Sequence, residues 1–155
     1  MSAPSSMTRS AVVLLVQPER DDRGMYAEFL EQRGLQPVCR ATVADALPLA
    51  RQVDVVVTGI LLPGSMDGLE FVARLRSNDD TKRLPIIVLT AAAWDSERAR
   101  AERVGCDVFL PKPCLPDVLL GAIRRLLRSA KRRNVRTRSG KVDGAVRKQV
   151  RGHRK

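Results

Sequence analysis

Apolar residues fall along this chain in five short runs, each followed by a stretch with helical spacing. Residues 11–16 (AVVLLV) and 84–89 (LPIIVL) are apolar and residues 55–58 (VVVT) β-branched on every position, which suits strands buried on both faces of a parallel sheet. Two weaker runs, around residues 36–40 and 106–110, predict a second and a fifth strand. Between them Met25, Tyr26, Phe29 and Leu30 predict a buried helix face capped by Asp21 or Asp22 and closed at Gly34. Thr42 can cap a helix through Val43, Ala46, Leu47 and Ala50, which Pro48 should shorten or kink. Leu69, Val72, Ala73 and Leu75 mark the next helix, residues 91–104 another, closed by Gly105, and residues 115–127 a last amphipathic one with Arg124, Arg125 and Arg128 outward. Strictly alternating strands and helices predict one α/β domain, a doubly wound five-stranded parallel sheet with helices on both faces.

The organising stretch is residues 54–71, DVVVTGILLPGSMDGLEF. Its strand stops at Gly59, a loop runs through Pro63 and Gly64, and Asp67-Gly68 opens a helix. Chemistry in open α/β sheets sits beyond the carboxyl ends of the strands, so Gly59 holds the functional address without a side chain. Asp54 begins the same strand, on the order of 16 Å away at about 3.3 Å per residue, and cannot reach that end. Asp67 reads as a helix N-cap, and Thr58 points to the opposite face of the sheet from Gly59.

Charge divides the chain sharply. Twelve of the 28 Lys and Arg but only one of the 17 acids, Asp143, fall in residues 128–155, so the net +11 resides there and residues 1–127 are neutral overall. The three cysteines, Cys39, Cys106 and Cys114, lie in or beside strand-like segments and read as reduced core thiols. No apolar run is long enough for a signal peptide or a membrane span, and a cytoplasmic protein is expected.

Four landmarks in order carry a family resemblance: residues 12–16 with the acidic region after them, Leu62-Pro63 followed by residues 66–70 (MDGLE), residues 89–91 (LTA), and residues 109–113 (FLPKP). With these, residues 11–128 resemble a receiver domain of the response regulators of two-component signalling. The resemblance implies a flavodoxin-like sheet of strand order 2-1-3-4-5. It also implies a phosphoaccepting aspartate four residues before the loop proline, where this chain has Gly59. Two acidic residues that hold Mg²⁺ in the family should follow the first strand, and those positions read Gln17 and Pro18. Thr90 matches the family's hydroxyl residue, Phe109 its aromatic switch and Lys112 its lysine, with the bond to Pro113 implied to be cis.

Losing all three carboxylates leaves Lys112 with nothing to neutralise, so neither Mg²⁺ binding nor phosphoryl transfer is expected and no cofactor is assigned. Plainer roles stand beside these. Thr90 can be a β-branched strand end, Lys112 can pair with Glu19 or hold an anion, and Trp94 and Phe109 can be packing residues. With no assembled nucleophile, base or metal cluster, an enzyme is not expected.

Residues 1–10 read as a disordered leader and residues 129–155 as a disordered basic tail. Arg128, Lys131, Arg132, Arg133, Arg136, Arg138, Lys141, Arg147, Lys148, Arg151, Arg154 and Lys155 carry the positive charge, and His153 is solvated without companion ligands. No aromatic interleaves them, and no Trp, Phe or Leu offers membrane insertion. The tail is too short for a DNA-binding or catalytic output domain. The expectation is thus a phosphorylation-independent adaptor in a phosphorelay, binding signalling proteins such as a histidine kinase or another regulator, with a homodimer compatible. The alternative is a nucleic-acid-associated protein whose tail grips phosphates non-specifically and whose folded body docks or dimerises. A merely solubilising tail is the plain counterpart.

Overall fold

The computed structural model describes the backbone of residues 9–151 and the side chains of residues 9–133; most of the predicted leader, with Arg154 and Lys155, lies outside the described residues. Strands β1 (Val12–Val16), β2 (Gln36–Arg40), β3 (Val55–Thr58), β4 (Ile86–Thr90) and β5 (Val108–Pro111) form one parallel sheet in the order β2-β1-β3-β4-β5. The helices are α1 (Arg20–Gln32), α2 (Val43–Ala46), α3 (Gly68–Arg76), α4 (Asp95–Val104) and α5 (Pro116–Arg151), and a 3₁₀ turn at Leu47–Gln52 follows α2. That turn contains Pro48, whose ring and missing N–H stop α2 after one turn.

Alternation along the strands sends side chains to two cores. Leu14, Val16, Val56 and Val88 pack with Val43, Phe71, Leu75 and Ala101 under α2, α3 and α4. Val13, Leu15, Val57 and Ile87 pack with Tyr26, Leu30, Leu119 and Ile123 under α1 and α5. Because both neighbours of every central residue are buried, the run of β-branched residues in β3 has no solvated face. Each fully buried aliphatic or aromatic side chain contributes about 2 kcal/mol.

Three expectations change. Helix α1 begins at Arg20 with Glu19 at its N-cap, which makes no side-chain capping bond, and Asp21 and Asp22 lie in the first turn, where they complement the helix dipole. Met25 (42 % exposed) and Trp94 (55 %) are not packed in the core, because α4 starts only at Asp95 and Trp94 is its solvent-facing N-cap. Helix α5 does not stop near residue 128. Its backbone stays helical to Arg151, since Arg, Lys, Ala and Gln are good helix formers and the packed first turns have already nucleated the helix. Among the described residues no helix is long and apolar enough to cross a membrane.

Candidate functional site at the carboxyl edge of the sheet

The ends of β1, β3, β4 and β5 bring the predicted site residues to one edge. The ladder continues past the strands, with the Gly59 N–H donating to the Val16 carbonyl and the Lys112 N–H to the Thr90 carbonyl, both at 2.8 Å. Gly59 is not in the left-handed region, and a β-carbon there would lie 3.4 Å from Pro18 Cδ, 3.5 Å from Leu62 Cδ2 and 3.7 Å from Gln17 Nε2, ordinary contacts. Its surroundings are thus an amide and two apolar side chains.

Gln17 is fully buried. Its Nε2 donates to the Leu89 carbonyl at 3.1 Å, while its Oε1 has no partner. Turning the amide over would set an oxygen against the Leu89 carbonyl, so this orientation is held even at the cost of an unsatisfied acceptor. The Gln17 carbonyl accepts from Arg23 Nη1 at 2.8 Å, which ties the loop to α1. Pro18 contributes no acidic group.

Lys112 is not bare. Its Nζ donates to Asp22 Oδ2 at 2.6 Å, a short charge-assisted bond between two partly buried groups, and this overturns the expectation of an unneutralised ammonium or a Glu19 partner. Sequence reasoning missed Asp22 by assigning it to capping. The available signal was the helix start itself, because a carboxylate in the first turn of α1 reaches back over the end of β1. The Lys112–Pro113 peptide is cis.

Beside this pair, the buried Tyr26 hydroxyl donates to the Cys114 carbonyl at 2.7 Å, so α1 grips the β5–α5 loop twice. Burial first, then the neighbouring Cys114 and Asp22, push the Tyr26 phenol up to about 12. Burial likewise raises all three cysteine thiols, Cys106 to about 11, and none of the three forms a disulfide.

Thr90 is buried, and its hydroxyl accepts from the Ala92 N–H at 2.9 Å, bracing the turn into α4. Thr58 turns its hydroxyl onto the Gly59 carbonyl at 3.0 Å. Phe109 is buried under the Arg98 guanidinium, 4.6 Å from its ring centroid. Asp67 closes a capping box with Glu70 and pairs with Arg100 at 3.0 Å, so it is structurally committed, and its hydrogen bond raises Arg100 further above its ordinary value. Gly68 cannot carry a side chain, since a β-carbon would fall 1.6 Å from the Gly59 carbonyl oxygen. Among the described residues no three His, Cys, Asp or Glu side chains converge to hold a metal. Asp54 lies at the far edge, accepting from the Val12 N–H and from Arg9.

Residues 13–124 match the family model of the response regulator receiver domain. Among curated proteins the chain is 30 % identical over 118 residues to the phosphate regulon transcriptional regulatory protein PhoB of Escherichia coli, covering 75 % of this chain and 51 % of that protein. It is 32 % identical over 124 residues to the response regulator Rre1 of Synechocystis, covering 78 % and 53 %. The chain thus spans about half the length of the curated relatives it matches. Its fold superposes on the chemotaxis protein CheY4 of Vibrio cholerae with a TM-score of 0.70 at 29 % identity, covering 76 % of this chain and 98 % of that one. It also superposes on the signal receiver domain of a histidine kinase from Syntrophus aciditrophicus with a TM-score of 0.73 at 26 % identity, covering 79 % and 94 %. Receiver domains typically bind Mg²⁺ at their phosphorylation site. On this evidence the chain belongs to the response regulator receiver domain family of two-component signalling, a signalling module and not an enzyme.

Proposed function

We propose that this receiver works without accepting a phosphoryl group, as an adaptor that signals by binding other proteins of its pathway, such as a histidine kinase or another regulator. The observation that carries the reading is the composition of the carboxyl edge. Gly59 offers no side-chain oxygen, the Gln17 amide presents its Nε2 toward it, Pro18 and Leu62 border the space, and Lys112 is already engaged by Asp22. These residues do not fit Mg²⁺, which wants several oxygen ligands in octahedral array, because a single carboxylate committed to an ammonium and an amide N–H cannot supply them. No phosphoryl step is therefore assigned. The mark of a partner-binding module is present at the same edge, where Leu61 (64 % exposed), Trp94 and Leu115 (67 %) stand out of the loops after β3, β4 and β5. A cytoplasmic location accords with this reading.

Incubation with acetyl phosphate and Mg²⁺ followed by intact-mass measurement tests it. The mass should remain that of the unmodified chain, and an acid-stable, base-labile phosphoryl adduct would overturn the proposal.

A further inference from the structure

At the opposite edge of the sheet, away from the receiver site, a cleft of about 630 Å³ opens between the amino ends of β3 and β4 and the outer part of α5. Val53, Leu84 and Leu127 give it apolar walls, and three acids and several cations stand around them. The acids are already matched, Asp54 by Arg9 at 2.9 Å, Asp79 by Lys82 at 3.1 Å and Asp80 by Arg51 at 3.2 Å. Arg83, Lys131 and Arg133 also line the cleft and take part in no ion pair among the described residues. Three unmatched cations therefore share one concave surface at the root of α5.

The helix continues from this cleft as a basic rod. Between residues 128 and 151 it carries ten Lys and Arg against Asp143 alone, over about 35 Å at 1.5 Å per residue. We infer that the cleft and the outer half of α5 together form a sequence-independent nucleic-acid interface that grips the phosphate backbone of a duplex.

Charge and length select this partner. A duplex presents a negative charge about every 1.7 Å of its axis, so it can meet cations spread over several helical turns, which a single small anion cannot do. A helix about 10–12 Å across is also of a size with the major groove. Membrane insertion lacks its anchors, because residues 128–155 contain no Trp, Phe or Leu, and the missing aromatics leave the backbone, not the bases, as the recognised feature. The helical backbone sets these cations along one axis that starts at the cleft.

The test is fluorescence anisotropy of the full chain with random-sequence 25-base-pair duplex DNA between 50 and 200 mM salt. Engaging about six phosphates predicts an affinity that falls roughly a thousandfold across that range. The triple variant Arg83→Ala, Lys131→Ala, Arg133→Ala should flatten the log–log salt slope by about 2 to 3 and weaken binding at 100 mM salt on the order of a hundredfold. A triple variant of exposed cations elsewhere, Arg20→Ala, Arg74→Ala, Arg103→Ala, should leave the slope unchanged, and circular dichroism checks that both variants fold. An unaltered slope in the cleft variant would overturn the inference, as would no duplex binding at 50 mM salt, or poly-glutamate bound as tightly as the duplex.

Discussion

The two edges of the sheet treat charge in opposite ways. At the amino edge two carboxylates each span a strand start and a guanidinium: Asp54 accepts from the Val12 N–H at 2.7 Å and from Arg9, and Asp107 accepts from the Ile86 N–H at 2.8 Å and from Arg76 at 3.0 Å. Arg76 goes further, donating also to the carbonyls of Gly105, Lys82 and Leu84. At the carboxyl edge, where the family resemblance implies a cluster of acids, the floor is an amide and a glycine, and the one acid that approaches comes from α1 to hold Lys112. Carboxylates thus fasten strands at one edge, while at the other the lysine has become part of a clasp between α1 and the β5–α5 loop. A guanidinium that ties three carbonyls and a carboxylate together is a structural device, whereas the lysine paired with Asp22 stands beside a glycine at the edge where we propose that phosphoryl chemistry has been lost.

Substitutions sharpen this contrast, the largest expected effect first. Gly68→Ala should cost at least about 4 kcal/mol or prevent folding, because the new β-carbon overlaps the Gly59 carbonyl and no flexible side chain can yield; urea unfolding measures it. Arg76→Ala should cost about 2 kcal/mol at the amino edge, since it leaves three backbone carbonyls without their donor and breaks the more exposed pair with Asp107, and it should leave the Lys112–Asp22 clasp intact by NMR.

Tyr26→Phe should cost about 1 kcal/mol at neutral pH. A pH signature accompanies it. The phenol ionises at about 12 in the fold against an ordinary 10, so its contribution is intact below pH 10 and fades as pH rises toward 12. Denaturant midpoints measured from pH 8 to 12 should fall less steeply in the phenylalanine variant than in the parent. The smallest effect belongs to Gly59→Ala, within about 0.5 kcal/mol, because the space accepts a methyl group and the backbone there demands no glycine. Two glycines nine positions apart, in contact across the loop, should therefore differ in tolerance by several kcal/mol.

Much of the architecture was legible in the sequence because it depends on local rules. Apolar and β-branched runs gave the three central strands and weaker runs the outer two, Pro48 ended α2, Thr42 and Asp67 supplied caps, and Gly105 adopts φ 105° where α4 closes. The strand order came from the family resemblance, and so did the cis bond before Pro113 and the gathering of Gln17, Gly59, Thr90 and Lys112 at one edge. What escaped was non-local or unopposed. Asp22 and Lys112 are 90 positions apart, and nothing in the spacing of either announces the other. Arg76 is one more polar residue in a helix until the fold brings Gly105 and Asp107 to it. The length of α5 was hidden because hydrophobic periodicity reports where a helix is packed, not how far it propagates into solvent.

The proposed loss of the family's chemistry at the carboxyl edge is measured directly by amide NMR of Gly59, Thr90 and Lys112 during titration with Mg²⁺ and beryllofluoride. Unmoved resonances at all three positions are the predicted result. Saturable shifts that require both the metal and the fluoride would contradict it.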